Sequence, residues 1–288
     1  MKRMFLSGIA LILGYMLFGN FYQIPSEENE IIQVENRIKV MSYNVRLFNV
    51  YAQNKESQII SKIEALIKSE APDLVFIQEY YDLNGLDFSD FPYQFIHFKE
   101  RNVANKNGKS KKHILGHAIL SKYPLINTEA FDFKGTSNNV ITANVIIKKD
   151  TLSLYNIHLQ SLGILPDVDK LQKEESYKLL KRIGIKFSKQ QDQAERVLSH
   201  KDKNPYRTIM AGDFNNTQYA YVYKELSKNM QDAFQLKGKG FGHTYKFDFY
   251  PLRIDYILAN KDFKVLDFKT LGKKLSDHLP IVTTLGWD

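Results

Sequence analysis

The sequence predicts two packed β-sheets with helices outside them, an α/β (α+β) arrangement. Apolar runs of strand length recur from residue 38 to the C-terminus. Lys149-Asp150 is a tight link between two of these runs, the mark of a β-hairpin. Few of the runs are separated by helical patterns, which argues against a doubly wound parallel sheet.

Taken in order, residues 38–45 read as a strand. Within residues 55–69, Ile59, Ile60, Ile63, Leu66 and Ile67 form a helical face. Pro72 stops that helix, and a strand follows at 73–79. Further strands are read at 93–98, 115–120, 140–148 and 151–159. Residues 102–112, rich in Lys, Asn and Gly, are expected to form an exposed, mobile loop. Residues 166–200 are charged and helical in pattern, with a break expected near Gly184. A strand at 207–212, a helix at 219–229 and strands at 253–260, 263–271 and 279–285 complete the reading.

A chain of 288 residues, 43% hydrophobic and 13% aromatic, carries enough apolar surface for a sizeable core. Its 40 basic and 32 acidic residues leave a formal charge of +8. Lys2, Arg3, Glu27 and Glu28 cancel, so the excess lies beyond the N-terminal segment. Such a charge suits polyanions or anionic membrane surfaces, although a solvated lysine-rich surface gives the same balance. There is no cysteine, which excludes disulfides, thiolate chemistry and thiolate-rich zinc sites.

Lys2 and Arg3 precede an uncharged stretch from residue 4 to 26, most apolar over 4–19. This reads as a membrane anchor or signal segment at 1–26, followed by a polar linker at 27–37 and a catalytic domain at 38–288. The apolar heart is a little short of the roughly 20 residues that span a bilayer comfortably. Leu17-Phe18-Gly19 lacks the small-x-small pattern of a cleavage site, which favours an uncleaved anchor. The leading positive charge predicts an exported, membrane-anchored domain, or a secreted one after signal cleavage.

Six polar signatures punctuate the chain: Ser42-Tyr43-Asn44, Gln78-Glu79, Asn156-Ile157-His158, Gly212-Asp213-Phe214-Asn215, Arg253-Ile254-Asp255-Tyr256 and Ser276-Asp277-His278. The first four each close a strand-like run, where side chains from different strands can converge on a ligand. Glu79, Asp213, Asp255 and Asp277 at one rim would repel each other unless a cation intervenes. Carboxylate and amide oxygens favour Mg²⁺, with Mn²⁺ or Ca²⁺ as alternatives. Glu79 is the best ligand candidate, although alone it also reads as a surface glutamate at a strand end. Gly212 permits close backbone approach, and Asn215 lies two residues beyond Asp213; an Asx-rich turn explains the same residues. His278 suits a general base, with Asp255 as its partner, and His158 suits a donor to a leaving or phosphoryl oxygen.

In this order the signatures resemble the endonuclease/exonuclease/phosphatase superfamily, related to DNase I. The stretch Gly116-His117-Ala118-Ile119-Leu120-Ser121-Lys122-Tyr123-Pro124 is similar to an internal strand and turn of that family. The resemblance covers residues 38–288. It implies a four-layer sandwich, two mostly antiparallel β-sheets packed face to face with helices outside, and Mg²⁺-dependent hydrolysis of a phosphoester. By position it assigns Glu79, Asn44 and Asp277 to the metal, and Asn44 and Asn215 to the phosphate. Asp213 positions the attacking water or the phosphoryl group, His278 with Asp255 activates that water, and His158 completes the catalytic set. The place of His158 is histidine in the DNase I-like and sphingomyelinase-like branches. The apurinic endonuclease branch differs there and at the position of Arg46, which disfavours a repair endonuclease.

The expected enzyme is therefore a monomeric phosphodiesterase or phosphatase, acting on nucleic acid, a phospholipid headgroup such as sphingomyelin, or a small phosphorylated metabolite. The basic residues Lys99, Arg101, Lys106, Lys109, Lys111 and Lys112 suit a polyanion. A phospholipase needs an exposed aromatic wedge, for which Tyr219, Tyr221 and Tyr223 or residues 247–250 are candidates, unless they belong to the core. Two non-catalytic alternatives remain: a binding module that has lost turnover, although no expected catalytic position is substituted, and a structural envelope protein, which leaves the six signatures to coincidence.

Overall fold

Strands at the centre of this molecule come in parallel pairs, each bridged by a helix. A computed structural model describes residues 2–18, 21–24, 32–49, 58–81, 86–104, 110–164, 175–247 and 250–288. The elements are α1 (Lys2–Phe18), β1 (Asn36–Asn44), α2 (Ile59–Glu70), β2 (Leu74–Tyr80), β3 (Tyr93–Ala104), β4 (Ser110–Ser121), β5 (Leu125–Asp132), β6 (Asn139–Ile147) and β7 (Asp150–His158). They continue with α3 (Ser176–Lys201), β8 (Arg207–Asp213), α4 (Tyr221–Leu226), β9 (Met230–Asp232), α5 (Ala233–Lys237), β10 (Tyr245–Phe247), β11 (Tyr250–Leu252), β12 (Asp255–Asn260), β13 (Lys264–Thr270) and β14 (Ile281–Trp287).

One six-stranded sheet runs β13-β14-β1-β2-β4-β3 and the other β5-β6-β7-β8-β12-β9, with β10 and β11 forming a small hairpin. Every pairing in the two large sheets is antiparallel except β1–β2 and β7–β8. Parallel neighbours need a crossover connection, and α2 and α3 lie in those two connections. The expectation of two mostly antiparallel sheets with helices outside is met.

Alternation along the strands builds the layers. Ile38, Val40, Leu74, Phe76, Ile119, Leu152, Leu154, Ile209, Ala211 and Ile257 face inward and form the core between the sheets. The odd-numbered rows of β1 and β2, including Met41, Tyr43, Val75 and Ile77, pack outward with Ile63 and Ile67 of α2. On the other side Tyr155, Ile157, Met210, Tyr256 and Leu258 pack with Ala194 and Val197 of α3 and Val222, Tyr223 and Leu226 of α4. Each such valine, leucine, isoleucine, phenylalanine or methionine side chain stabilises the fold by about 1.5–3 kcal/mol when fully buried.

Several local expectations need correction. The hairpin of β3 and β4 extends into the expected 102–112 loop, with Asn102 opposite Lys112 and Ala104 opposite Ser110; residues 105–109 lie outside the described residues. Backbone pairing there overrides a polar composition. The helix of 176–201 runs unbroken through Gly184, where an added Cβ would meet nothing within 4 Å. One exposed glycine costs about 1 kcal/mol, less than is secured by burying Gln190, Gln193, Ala194 and Val197 further along. The remainder of the 166–200 reading, residues 166–174, lies outside the described residues. The helix expected at 219–229 is shortened to α4, and β5, β9, α5, β10 and β11 were not anticipated.

The expected membrane anchor is not supported. Among the described residues no helix is long and apolar enough to cross a membrane. At 1.5 Å per residue the 17 residues of α1 reach about 25 Å, short of a hydrocarbon core of about 30 Å. Beyond α1 the chain returns to the domain: the backbones of Gln23 and Gly240 exchange two hydrogen bonds of 2.8 Å, and Phe21 and Tyr22 pack on Phe241.

Candidate active site

Inward-facing rows that are hydrocarbon in the middle of the sandwich become polar at one rim. On β1 the row runs Ile38, Val40, Ser42, Asn44; on β7 it runs Leu152, Leu154, Asn156, His158. On β8 the sequence Ile209, Ala211, Asp213 does the same, and on β12 Ile257 precedes Asp255 toward the rim. Sheet register then lines up three chemical groups: Asp213 lies opposite His158 on β7 and opposite Asp255 on β12.

Gly212 makes this register possible. Its φ is +143°, and a Cβ there would fall 2.0 Å from the carbonyl oxygen of Ile157. Only glycine lets β8 pass β7 so closely. Glu79 needs a different device, because its position belongs to the outward row of β2. The β2–β4 register shifts between Ile77 and Tyr80, and Glu79 has a left-handed φ of 53°. This irregularity re-aims its carboxylate toward the rim, as β-bulges do.

Asp213 is the hub. Its Oδ2 accepts from Asn44 Nδ2 at 3.1 Å and Asn215 Nδ2 at 3.3 Å, while Oδ1 accepts from the Asn215 backbone at 2.7 Å. The same Oδ2 lies 3.6 Å from His158 Nε2 and 3.7 Å from His278 Nε2. His278 Nδ1 sits 2.9 Å from Asp255 Oδ2. Asp255 is fixed in turn by Thr244, whose hydroxyl accepts from the backbone N–H groups of Ile254 and Asp255 at 3.1 Å. The Tyr245 ring lies 4.8 Å, centroid to centroid, from the His278 ring. Glu79 Oε1 is 3.9 Å from His158 Nε2. Asp277 faces Arg46 Nε at 3.4 Å, and Ser276 Oγ donates to the Asn44 carbonyl at 2.9 Å.

Every residue assigned from the sequence, namely Asn44, Glu79, His158, Asp213, Asn215, Asp255, Asp277 and His278, thus comes to this rim. His117, Thr244 and Tyr245 were given no role in that reading. His117 belongs to a stretch already noted for its family pattern, whereas Thr244 and Tyr245 carry no local signature. Beneath the site, Gln78 Nε2 donates to Asn156 Oδ1 at 2.7 Å, and Asn156 Nδ2 donates to the carbonyls of Ile77 and Ala118 at 2.9 Å. These bonds lock one sheet to the other directly below the chemistry.

Charge at the rim is unbalanced. Burial raises the Asp213 carboxyl, Asp255 and Glu79 add to the rise, and His278 opposes it. Burial also raises Glu79, again against the pull of His278. For His278, burial acts downward but the carboxylates of Asp255 and Asp213 outweigh it, so the ring is held above its ordinary range. His158 feels burial and the neighbouring His278 charge, and is pushed down to about 3. The rim thus pulls its two imidazoles in opposite directions, His278 upward and His158 downward.

The donor chemistry fits a hard divalent cation. Asp213, Asp255 and His278 present ligand atoms within 4.8 Å of one another. Asp255, however, is committed to His278, and the pair makes better sense as an oriented base. Glu79 and Asp277 keep carboxylate surface open, each side chain 28% exposed. An ion held by Glu79, Asn44 and Asp277, beside Asp213, would offset the burial and the neighbouring negative charge that raise Asp213 and Glu79.

No curated protein matched the chain. Among solved structures, an endonuclease/exonuclease/phosphatase from Beutenbergia cavernae DSM 12333 shares 17% identity, with a TM-score of 0.65 over 87% of this chain and 72% of that one. The human Nocturnin catalytic domain with bound sulfate anion gives 16% identity and a TM-score of 0.62, covering 89% of this chain and 97% of that one. TDP2 from C. elegans gives 18% and 0.60, covering 87% and 75%. These likenesses show the fold. A family model matches residues 41–278, from β1 through His278. The chain therefore belongs to the endonuclease/exonuclease/phosphatase family, hydrolases of phosphoester bonds.

Proposed function

We propose that this protein is a Mg²⁺-dependent phosphodiesterase with a nuclease-like preference for polyanions. The observation that carries the reading is one carboxylate, Asp213, flanked by two imidazole Nε2 atoms at 3.6 and 3.7 Å, one of them oriented by Asp255. Asn44 and Asn215 orient Asp213, and Asn215 is anchored in turn by donating to the Leu159 carbonyl at 2.9 Å. His278, with Nδ1 paired to Asp255, directs Nε2 at the position of an attacking water and accepts its proton. His158 donates to an oxygen on which charge develops. A divalent ion held by Glu79, Asn44 and Asp277 would supply charge neutralisation at the phosphoryl group, and its positive charge beside Asp213 would bring His278 down toward the range in which a base works. Mn²⁺ or Ca²⁺ fits the same oxygens less selectively.

A second reading, a sphingomyelinase-like or other phospholipid headgroup hydrolase, draws on one observation. Tyr219 and Tyr221, just beyond the Gly212–Asn215 turn, are 42% and 49% exposed, whereas Tyr223 is core; side chains of residues 247–250 lie outside those described. A panel of plasmid DNA, RNA, sphingomyelin vesicles and inositol phosphates at fixed Mg²⁺ separates the two. Nucleic acid cleavage that weakens steeply with salt supports the first, and cleavage confined to sphingomyelin replaces it with the second. Export of the domain is read from Lys2 and Arg3 ahead of the apolar stretch alone. Protease accessibility on intact cells checks it.

A further inference from the structure

The His158 ring nitrogen that points away from the site is held by another histidine. His117 lies in the inward row of β4 beside Ile119 and is fully buried. Its Nε2 is 3.1 Å from His158 Nδ1, with the two rings 5.2 Å apart. The other nitrogen of His117, Nδ1, is buried and has no hydrogen-bond partner among the described residues. One proton lies between the two facing nitrogens, and the outer ends of the pair decide which ring owns it.

Suppose His158 donates through Nδ1. His117 must then carry its own proton on Nδ1, as a buried N–H with no acceptor. His158 Nε2 would also turn a lone pair toward the carboxylate oxygens of Asp213 and Glu79, at 3.6 and 3.9 Å. Orphaned buried N–H groups are rare, and facing acceptors repel. Now let His117 donate through Nε2. Its Nδ1 is then a bare acceptor, the milder defect, and His158 presents an N–H to both carboxylates. Both ends select the same arrangement.

We propose that His117 is a positioning residue: its Nε2–H fixes His158 as the Nε2–H tautomer, so that His158 serves as a hydrogen-bond donor and never as a proton acceptor. A net proton cannot be relayed through the pair either. If His158 released its Nε2 proton to a leaving oxygen and took the shared one, His117 would be left as an imidazolate with no group to refill it. His158 therefore stabilises an oxygen without protonating it. That the oxygen belongs to a phosphoryl group rests on the function proposed above; the tautomer does not.

Long-range ¹H–¹⁵N NMR on the full-length, ¹⁵N-histidine-labelled protein reads the tautomer directly. His158 is expected to show a protonated Nε2 and a bare Nδ1, both in the wild type and in His117→Gln, whose amide N–H₂ can donate from the same place. In His117→Leu that preference is expected to disappear. Turnover of bis(p-nitrophenyl) phosphate should fall about tenfold in kcat, as for other supporting partners of a site, with KM unchanged and with rescue by His117→Gln. A proton found on Nδ1 of wild-type His158 overturns the proposal, as does a folded His117→Leu variant that keeps both the tautomer and full kcat. If the leucine variant does not fold, the wild-type and glutamine spectra still decide. The expected tautomer in a protein that cleaves no phosphoester upholds the positioning role and refutes the proposed function.

Discussion

The two ends of the sandwich interior are made by the same strands on the same face, yet they do opposite things. On β7, Leu152 and Leu154 meet hydrocarbon from the facing sheet, while Asn156 and His158, further along the row, meet Gln78, His117 and Glu79. On β8, Ile209 and Ala211 give way to Asp213 in the same manner. The apolar end has strong reasons to assemble. The rim buries carboxylates and imidazoles whose desolvation opposes folding. The hydrocarbon end supplies the stability that holds the charged end in a fixed geometry.

That division can be broken from either side. The largest effect is expected at the rim, where His278→Ala removes the base and should lower turnover by about 10²–10⁴ or to undetectable levels. Its circular dichroism and melting should remain those of a folded protein, and a well-folded, active variant refutes the assignment. Leu154→Ala, two positions below Asn156 on the same face, should instead lose about 2–5 kcal/mol of stability. Measured by urea unfolding alongside kcat per folded molecule, it should leave turnover nearly intact. Asn44→Ala tests the boundary between the two regions: it removes a polar group that touches Asp213, and should cost about 10²–10³ in rate.

The smallest effect sharpens the comparison through pH. His158 is pushed down to about 3 by burial and by His278, and His117 is likewise held well below its ordinary value by burial and by His158. The unfolded chain protonates such rings near pH 6.5. Below that pH it binds protons that the folded rings refuse, so this contribution to stability falls as pH drops. His117→Gln deletes one of the two groups and should flatten the slope by about 1.4 kcal/mol per pH unit between pH 6 and 5. Urea midpoints of the wild type and the variant at those pH values, in EDTA, measure it; parallel slopes contradict the account.

Much of this was legible in the sequence because a strand's period of two carries its pattern to the last residue. Asn44, His158 and Asp213 each continue an inward apolar row, so their convergence follows once the strands are recognised. Glu79 does not follow that rule, since its parity points it outward and only the irregularity in β2 brings it in. His117 was hidden for another reason: its partner lies on the opposite sheet, and packing between sheets leaves no periodic trace. Thr244 and Tyr245 act from a loop and a short hairpin with no pattern of their own. Gly184 misled because glycine weakens a helix without being obliged to end it.

The most direct test is hydrolysis of bis(p-nitrophenyl) phosphate by the purified protein with Mg²⁺, with EDTA, and after substitution of Asp213 by asparagine. Turnover that needs the ion, stops with EDTA and is lost in Asp213→Asn is the expected result. Turnover that persists in EDTA, or survives in the asparagine variant, would contradict a reaction built around that shared carboxylate.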